Sequence, residues 1–346
     1  MISSHQKNSS NIISTTLRLY ILDADSENSS LRYLQLPPPF SSTVKVVGCS
    51  RGLFCLSTNH SNIYDWIILN PCTGEVSNNI SMSYSNQKPN FLYRGFGYDS
   101  LNDDYKLIVV EYYYRNSDLF YSIIHYKRIR YNATRNIRVF SMKANSWRCI
   151  ENNTEISIFE VRKPTNVKNS VLLDNCLMHW LFKYPYMGQM KSLSIGCFNL
   201  QNEQWGADVA LPDLDEDEDD KIIRARLGIV DGCLCLLVDI NDNTTVLWIM
   251  KEYGVKESWT KIFVEAPHHC FNRTVFFPDD KGTPEILFVG LKSGNRNFVW
   301  YNIRDKTSKK LELNGAFTII LNFCALEVLL LVLELRDRLT TKLRGE

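Results

Sequence analysis

Net charge is almost absent from this sequence. The 39 Lys and Arg residues are balanced by 38 Asp and Glu residues, which leaves a formal net charge of +1. A nucleic-acid-binding domain concentrates basic residues in a patch or stripe, so this balance does not favour a nucleic-acid partner. The N-terminus also lacks a basic segment followed by an apolar one, which predicts no secretory signal peptide. We therefore expect the protein to lie in the cytoplasm or nucleus.

Motifs of catalysis and metal binding are missing as well. None of the ten cysteines forms a Cys-x-x-Cys pair, so we expect reduced thiols rather than a zinc site or a disulfide framework. No Gly-x-Ser-x-Gly turn, Walker loop or dinucleotide fingerprint is present. His268, His269 and Cys270 are the densest group of potential ligands, but adjacent residues on an extended chain point in opposite directions. The sequence predicts no catalytic residue, no metal site and no cofactor.

The chain instead contains many short apolar or alternating runs separated by polar turns, a pattern typical of β-strands. Two hairpin patterns recur. In the first, a two-residue turn joins two apolar strands, as at Asp174-Asn175 and Asp231-Gly232. In the second, an apolar strand reaches a polar turn and a tryptophan often follows. These hairpins are centred near Leu19, Leu69, Phe140, Phe198, Trp248 and Tyr301.

The spacing of the hairpins, about fifty to seventy residues, is close to that of propeller blades with four strands each. Because a blade cannot bury both faces alone, neighbouring blades must stack. Trp66, Trp147, Trp205 and Trp259 are large enough to fill the space between them. We predict an all-β, propeller-like fold of about six blades of short antiparallel strands. A pair of β-sandwiches is the alternative.

The C-terminal region is strongly apolar from residue 316 to residue 335. About twenty apolar residues are enough to span a bilayer. However, Asn322, Glu327 and Glu334 interrupt the run, and a glutamate inside a membrane costs free energy. We predict a last strand near residues 318–323 and a short apolar helix after it, with a membrane anchor as the disfavoured alternative. The predicted boundaries are a disordered tail over 1–15, a propeller over 16–325 and a helical tail over 326–346.

The densest set of local signals lies between Arg94 and Trp147. Gly95 and Gly97 flank an aromatic residue, which predicts a turn or a close approach of another part of the chain. Asp99–Asp104 is a turn cluster, and its adjacent aspartates are expected to accept hydrogen bonds from backbone amides rather than to catalyse a reaction. The run that follows, Lys106–Val110, predicts a buried strand.

This segment resembles the F-box-associated domain of plant F-box proteins, a family of kelch-like or galactose-oxidase-like propellers. Shorter strings resemble the family at Cys49–Leu56 and Asn70–Glu75, and Trp248–Lys261 matches its "WVMKEYGVKESWTK" block almost residue for residue. The resemblance covers roughly residues 46–265 and continues more weakly to 323. The motif residues, for which a structural role is predicted, are Gly97, Tyr98, Asp99, Asp104, Tyr105, Lys106, Trp147, Trp248, Tyr253, Gly254 and Trp259.

The resemblance implies a substrate-recognition subunit of a Skp-cullin-F-box type ubiquitin ligase, not an enzyme. In such a subunit the propeller binds the target protein, and an N-terminal F-box docks on a Skp-type adaptor. Residues 1–45 contain neither the Leu-Pro start nor the Cys-Lys-x-Trp end of an F-box. We therefore expect a truncated chain that binds the adaptor only if an F-box is supplied. The alternative is a small-ligand- or glycan-binding propeller not linked to ubiquitination.

Target specificity is expected in connections between strands, such as Tyr112–Tyr131 and Asp213–Lys221. The second of these carries a run of acidic residues that predicts a solvated loop, with a basic partner or weak calcium binding as alternatives. The first of these connections is rich in tyrosine, which is enriched at protein interfaces. Its tyrosines are therefore candidate target contacts, and packing between blades is an equally weighted alternative for them. The candidate target contacts are Tyr112, Tyr113, Tyr114 and Tyr121.

Overall fold

A computed structural model of the chain consists almost entirely of β-strands. It describes residues 17–23, 31–34, 45–60, 63–83, 89–114, 132–157, 163–164, 170–174, 176–183, 193–214, 222, 224–241, 244–264, 271–277, 285–292, 295–311, 318–321 and 328–334. The strands of this part of the chain form six antiparallel sheets, which we number blades I to VI. The predicted all-β propeller of about six blades is therefore confirmed.

The first three blades follow one another along the chain. Blade I contains β3 (Lys45–Ser50), β4 (Leu53–His60), β5 (Ile63–Leu69) and β6 (Ile80–Ser83). Blade II contains β7 (Phe91–Asp99), β8 (Asp104–Tyr114), β9 (Asn132–Ser141) and β10 (Ser146–Ser157). Blade III contains β11 (Lys163–Pro164), β12 (Val171–Leu173), β13 (Leu177–Lys183), β14 (Leu193–Asn199) and β15 (Gln204–Trp205). Both β11 and β12 pair with β13, so together they form the first strand of blade III.

The remaining blades complete the ring. Blade IV contains β16 (Arg224–Val230), β17 (Cys233–Asn241), β18 (Thr244–Met250) and β19 (Trp259–Val264). Blade V contains β20 (Phe271–Phe277), β21 (Glu285–Lys292), β22 (Asn295–Asn302) and β23 (Thr307–Leu311). Blade VI joins both ends of the described chain, since β1 (Leu17–Asp23) and β2 (Leu31–Leu34) share a sheet with β24 (Thr318–Leu321) and β25 (Val328–Glu334).

Blade VI corrects the prediction for the C-terminal segment. Residues 328–334 are not helical but form β25, which pairs along its whole length with β1, from Asp23 opposite Val328 to Leu17 opposite Glu334. A short continuous apolar run is consistent with a strand, and periodicity alone does not distinguish it from a buried helix. No helix among the described residues has the length and apolar character needed to cross a membrane. The boundaries at 1–15, 16–325 and 326–346 stay predictions, since parts of the tails lie outside the described residues.

Each blade is an antiparallel meander, so its connections alternate between two ends of the propeller. At one end, which we call the turn end, the first strand turns into the second and the third into the fourth, as at Arg51-Gly52 and residues 251–258. At the other, which we call the loop end, the second strand leads to the third and each blade leads to the next. The connection between Tyr114 and Asn132 therefore starts and finishes at the loop end.

The core lies between blades rather than inside them. Separate apolar clusters fill the spaces between blades I and II, II and III, III and IV, and IV and V. Two indole N–H groups form hydrogen bonds across these interfaces. Trp147 Nε1 of blade II donates to the Ser81 carbonyl of blade I at 3.1 Å, and Trp259 Nε1 of blade IV donates at 2.8 Å to the Ala210 carbonyl, in the connection that precedes blade IV. Trp66 is fully buried against Trp147, and Trp205 contacts Trp180, so the four predicted tryptophans lie at blade interfaces.

Candidate functional site

The two glycines of the motif segment lie where blade III packs directly on the backbone of β7. A Cβ atom added to Gly95 would overlap the Met178 Sδ and lie 2.8 Å from Trp180 Cζ2. A Cβ atom on Gly97 would lie 2.8 Å from Leu200 Cδ1. The Trp180 indole donates to the Arg94 carbonyl at 2.9 Å, which fixes this close approach. Glycine is therefore required here for packing between blades.

One kind of turn recurs at the turn end of the propeller. The residue at the strand end, at position i, accepts a hydrogen bond through its side-chain oxygen from the backbone N–H of residue i+3, as in an Asx turn. Residue i+4 then adopts a left-handed conformation. The residues whose side chains accept this hydrogen bond are Asn70, Asp99, Ser141, Asn199 and Asn302. The left-handed residues are Gly74, Asp103, Asn145, Glu203 and Lys306, with φ between 48° and 77°. The sequence indicated polar turns at these positions but not their shared geometry.

The Asp99 turn carries a buried charged group, which we call the Lys106 cluster (Asp99, Lys106, Leu200 and Glu203). Lys106 Nζ lies 2.7 Å from Asp99 Oδ2 and 2.8 Å from Glu203 Oε1, and it donates to the Leu200 carbonyl at 2.7 Å. Lys106 is 4% exposed and Asp99 is fully buried. Because the ammonium group has three donors and three partners, the cluster is saturated and joins blade II to blade III.

Hydrogen bonding keeps the Asp99 carboxyl ionised. Burial acts to raise the pKa of the Asp99 carboxyl, but hydrogen bonds from Asn102 and Lys106 outweigh it and hold that pKa below its usual range. Arg148, whose side chain is about half exposed, adds a second cation on Glu203. Asp99 is therefore expected to remain a carboxylate at neutral pH, with its charge compensated inside the protein.

Asp104 has a similar role on the other side of the same turn. Its Oδ2 accepts the Ser141 hydroxyl at 2.5 Å, and its Oδ1 accepts the Lys143 backbone N–H at 2.8 Å. The start of β8 is thereby joined to the turn between β9 and β10. Asp103 lies outside this network and accepts the Tyr98 hydroxyl at 2.5 Å.

A shallow polar cleft of about 320 Å³ lies beside the Lys106 cluster, between the turns of blades II and III. Two ion pairs lie in or beside the cleft, Lys106 with Asp99 and Arg148 with Glu203, and Asp104 accepts the Ser141 hydroxyl. The cleft is lined by Asn102, Asp104, Lys106, Arg148, Gln201, Asn202 and Glu203. The arrangement supports the blade interface, and its charged side chains already have hydrogen-bond or ion-pair partners within the protein.

The second motif block, Trp248–Lys261, spans the end of β18, the turn after it and the start of β19 in blade IV, and its turn contacts blade III. The Tyr253 hydroxyl is 2.7 Å from His179 Nε2 and 3.5 Å from Cys197 Sγ, both on blade III. Gly254 supplies a left-handed residue with φ of 83°, and its N–H donates to Met250 Sδ at 3.2 Å. This block therefore holds two blades together, as the Lys106 cluster does at the preceding interface.

His179 gives this interface a pH dependence. Burial lowers the pKa of His179 from 6.5 to about 4, since the neutral ring is favoured away from water. The unfolded chain then binds the proton more readily, so stability is full above pH 6.5 and falls as the pH drops toward 4. Between pH 6.5 and pH 5 we expect a loss of about 2 kcal/mol in the free energy of unfolding.

Urea unfolding at pH 7 and pH 5 checks this expectation, with His179→Gln as the comparison. Glutamine keeps a polar group within reach of Tyr253 but does not titrate, so the variant should lose about 2 kcal/mol less than the parent over this interval. An equal loss in both proteins would show that His179 does not carry the effect.

The predicted target contacts fall into three groups. Tyr112 is fully buried in the cluster between blades II and III, with its hydroxyl 3.2 Å from that of Tyr93, so its assignment as a target contact is wrong. Tyr113 is partly buried near the loop end. The side chain of Tyr114 and all of Tyr121 lie outside the described residues. Tyr112 instead packs between blades, which was the alternative prediction for these tyrosines.

The predicted acidic loop is described only at its start. Asp213 is exposed and lies 2.6 Å from Lys256 Nζ, in the loop between β18 and β19. This pair places Asp213 near the turn end of blade IV. Residues 215–220, which hold most of the acidic side chains, lie outside the described residues.

Eight of the ten cysteines lie among the described residues. Seven of them are free thiols, namely Cys55, Cys72, Cys149, Cys176, Cys197, Cys233 and Cys235. Cys49 is in a disulfide, so the expectation of uniformly reduced thiols is wrong at that residue. Burial raises the pKa of the Cys55 and Cys235 thiols, which makes them poor nucleophiles. In the part of the chain that is described, no group of three or more His, Cys, Asp or Glu side chains is placed to hold a metal ion.

The fold is a β-propeller. Its neighbouring blades are joined by buried polar contacts and by tryptophans, and several motif residues take part in these contacts. The chain belongs to the family of F-box associated beta propeller domains, whose family model matches residues 6–325. In this chain, the motif residues Lys106 and Tyr253 contact the neighbouring blade.

Three curated relatives are F-box proteins of Arabidopsis thaliana. The chain is 28% identical to F-box protein CPR1 over 312 residues, which covers 86% of this chain and 70% of that protein. It is 24% identical to F-box protein At4g22390 over 240 residues (66% and 54%) and 27% identical to F-box protein At3g07870 over 259 residues (70% and 57%). The chain thus spans little more than half the length of two of these relatives.

Solved structures are similar only at a distance. The chain is 9% identical to TolB from Acinetobacter baumannii with a TM-score of 0.43, over 86% of this chain and 63% of that one. It is 12% identical to the Dos1 propeller with a TM-score of 0.41, over 92% and 75%.

Proposed function

We propose that this chain is the substrate-recognition part of a Skp-cullin-F-box type ubiquitin ligase. In this proposal the propeller binds a target protein in the cytoplasm or nucleus, and an F-box supplied ahead of it docks on a Skp-type adaptor. The observation that carries the proposal is the family match over residues 6–325, together with the similarity to three F-box proteins. The proposal gives the chain a binding role and no catalytic step of its own.

Target binding is assigned to the loop end of the propeller. At the turn end, the side chains of Asn70, Asp99 and Asp104 already accept hydrogen bonds from nearby backbone amides. At the loop end, the connection between Tyr114 and Asn132 is much longer than the tight turns, and long connections in compact domains are commonly functional. The same reasoning disfavours the small-ligand alternative, because Lys106, Arg148 and Asp104 of the polar cleft at the turn end already have partners within the protein.

Two chimeras test the proposed function. The F-box of CPR1 is fused ahead of the full chain, and in a matched variant residues 116–130 are also replaced by a short Gly-Ser linker. Both are expected to co-purify with a Skp-type adaptor. Only the first should bind a set of proteins that become polyubiquitylated in plant cells and accumulate when the proteasome is inhibited.

Each arm has an outcome that contradicts the proposal. If the first chimera fails to bind the adaptor, the propeller is not compatible with an adjacent F-box. If both chimeras bind and ubiquitylate the same proteins, the loop-end connection does not recognise the target. Circular dichroism of both chimeras controls for the fold.

A further inference from the structure

The polar cleft between the turns of blades II and III buries its carboxylates and exposes a cation. Asp104 and Glu203, the two carboxylates of its lining, are 6% and 9% exposed, and Lys106 is buried as deeply. The side chain of Arg148, in contrast, is 53% exposed. A group that approaches the cleft from solvent therefore meets a guanidinium first.

One partner does not exhaust the hydrogen-bonding capacity of Arg148. A guanidinium carries five N–H donors, and Arg148 uses its Nη2 on Glu203 Oε1. Among the described residues, no acceptor is bonded to its Nε or Nη1. Glu203 also has Lys106 as a cation, with Nζ 2.8 Å from Oε1. Arg148 can therefore bind a second anion without leaving the Glu203 carboxylate uncompensated.

Further donors lie in or beside the same cleft. Lys143 is exposed, and its Nζ donates to the carbonyl of Asn102, a lining residue, at 3.1 Å. An ammonium group has three donors, so others remain. Asn202 is also exposed; its Oδ1 accepts the Gln204 backbone N–H at 3.1 Å, and its Nδ2 has no acceptor among the described residues. The accessible charged groups are thus cations, and an amide donor accompanies them.

We propose that this cleft binds an oxyanion carried by a side chain of a partner protein, a carboxylate or a phosphoryl group, with Arg148 as its main contact. Hydrogen bonds between a guanidinium and an oxyanion are charge-assisted, and planar guanidinium geometry suits two oxygens at once. A cleft also focuses the field of its charges more than a flat surface does. The exposed cations Arg148 and Lys143 oppose a basic partner or a metal ion.

This contact lies at the turn end, whereas target binding is assigned to the loop end. It is therefore a second interaction surface, and it does not rest on the proposed function. Loss of the cleft contact would leave the binding of a target at the loop end unchanged, so the two are tested separately.

Titration of the ¹⁵N-labelled full chain with short peptides tests the site by nuclear magnetic resonance. The peptides differ at one residue, which is glutamate, phosphoserine or glutamine. The glutamate or phosphoserine peptide should shift the Arg148 Nε–H and Asn202 backbone signals saturably, and the glutamine peptide should not. Whichever anionic peptide binds more tightly identifies the source of the oxyanion.

Three variants assign the binding to the cleft. Arg148→Gln should weaken the binding about tenfold, as expected for the loss of a charge-assisted hydrogen bond. Asn202→Asp keeps an oxygen for the Gln204 N–H but places a negative charge in the cleft, so it should also weaken binding. Lys251→Gln is the matched control, because it removes one exposed positive charge at the turn end of blade IV. Its effect should stay below about twofold, since charges beyond a Debye length are screened.

Two results would overturn the proposal: no saturable shift at Arg148 with either anionic peptide, or equal weakening by Arg148→Gln and Lys251→Gln. Arg148→Gln is expected to fold, because Glu203 keeps Lys106 as its cation. Unfolding midpoints in urea check this expectation. If Arg148→Gln is unfolded, Asn202→Asp decides the outcome, and unchanged binding in that variant would overturn the proposal.

Discussion

Replacing Lys106 by methionine is expected to destabilise the protein by about 3–5 kcal/mol, because it leaves the buried Asp99 carboxylate without its cation. Asp99 is fully buried, and it and Glu203 lie within 2.8 Å of Lys106 Nζ. Methionine has a similar length, so the change removes charge and hydrogen bonds but little volume. Urea unfolding at pH 7 measures the loss.

Lys251→Met is the matched control. Lys251 is exposed at the end of β18, and surface substitutions usually change stability by less than about 0.5 kcal/mol. Adding Asp99→Asn to Lys106→Met should restore part of the lost stability, since it removes one uncompensated charge. If Lys106→Met and Lys251→Met behave alike, the Lys106 cluster does not stabilise the interface between blades II and III.

Replacing Gly95 by alanine should cost about 3 kcal/mol, at the upper end of typical overpacking effects. The added methyl group would overlap Met178 Sδ and meet the Trp180 ring at 2.8 Å. Met178 is fully buried and Trp180 nearly so, and a shift of either would have to displace neighbours in a close-packed interior. The free energy of unfolding of Gly95→Ala, measured in urea, checks this expectation.

Two comparisons separate crowding from the general cost of changing a glycine. Gly206→Ala should be nearly neutral, because its nearest neighbours would lie at 3.8–3.9 Å and its φ is not left-handed. In a Met178→Ala background, the penalty of Gly95→Ala should shrink by at least about 1 kcal/mol, as expected for residues in contact. An unchanged penalty in that background would mean that the overlap with Met178 is not its cause.

Local signals in the sequence predicted much of the fold because propeller strands are contiguous and joined by short turns. Asp231-Gly232 forms the expected two-residue turn, with φ of 51° and 69° and Val230 opposite Cys233. A turn of this kind requires two left-handed residues, which Asx-Gly supplies. The blade number followed from the spacing of such hairpins, which needs no long-range information.

Long-range contacts explain what the sequence did not predict. The partner of Lys106 on blade III, Glu203, lies far along the chain, and nothing near Lys106 indicates it. Tyr112 was assigned to a surface because tyrosine suits both interfaces and cores, and only the packing of blade III decides between them. The segment at Val328–Glu334 was assigned to a helix because its strand partner, β1, lies at the other end of the chain.

The two-plus-two composition of blade VI has a consequence for synthesis on the ribosome. The strands of blades I to V emerge in order, so each of these blades can fold as its own segment leaves the exit tunnel. β1 emerges first but must wait for β25, its neighbour in the sheet, until almost the whole chain has been translated. In that interval β1 presents an unpaired edge, which favours association with other nascent chains or with chaperones. Translation that stops before Val328 would leave a ring that cannot close, and such a product should be removed by quality control.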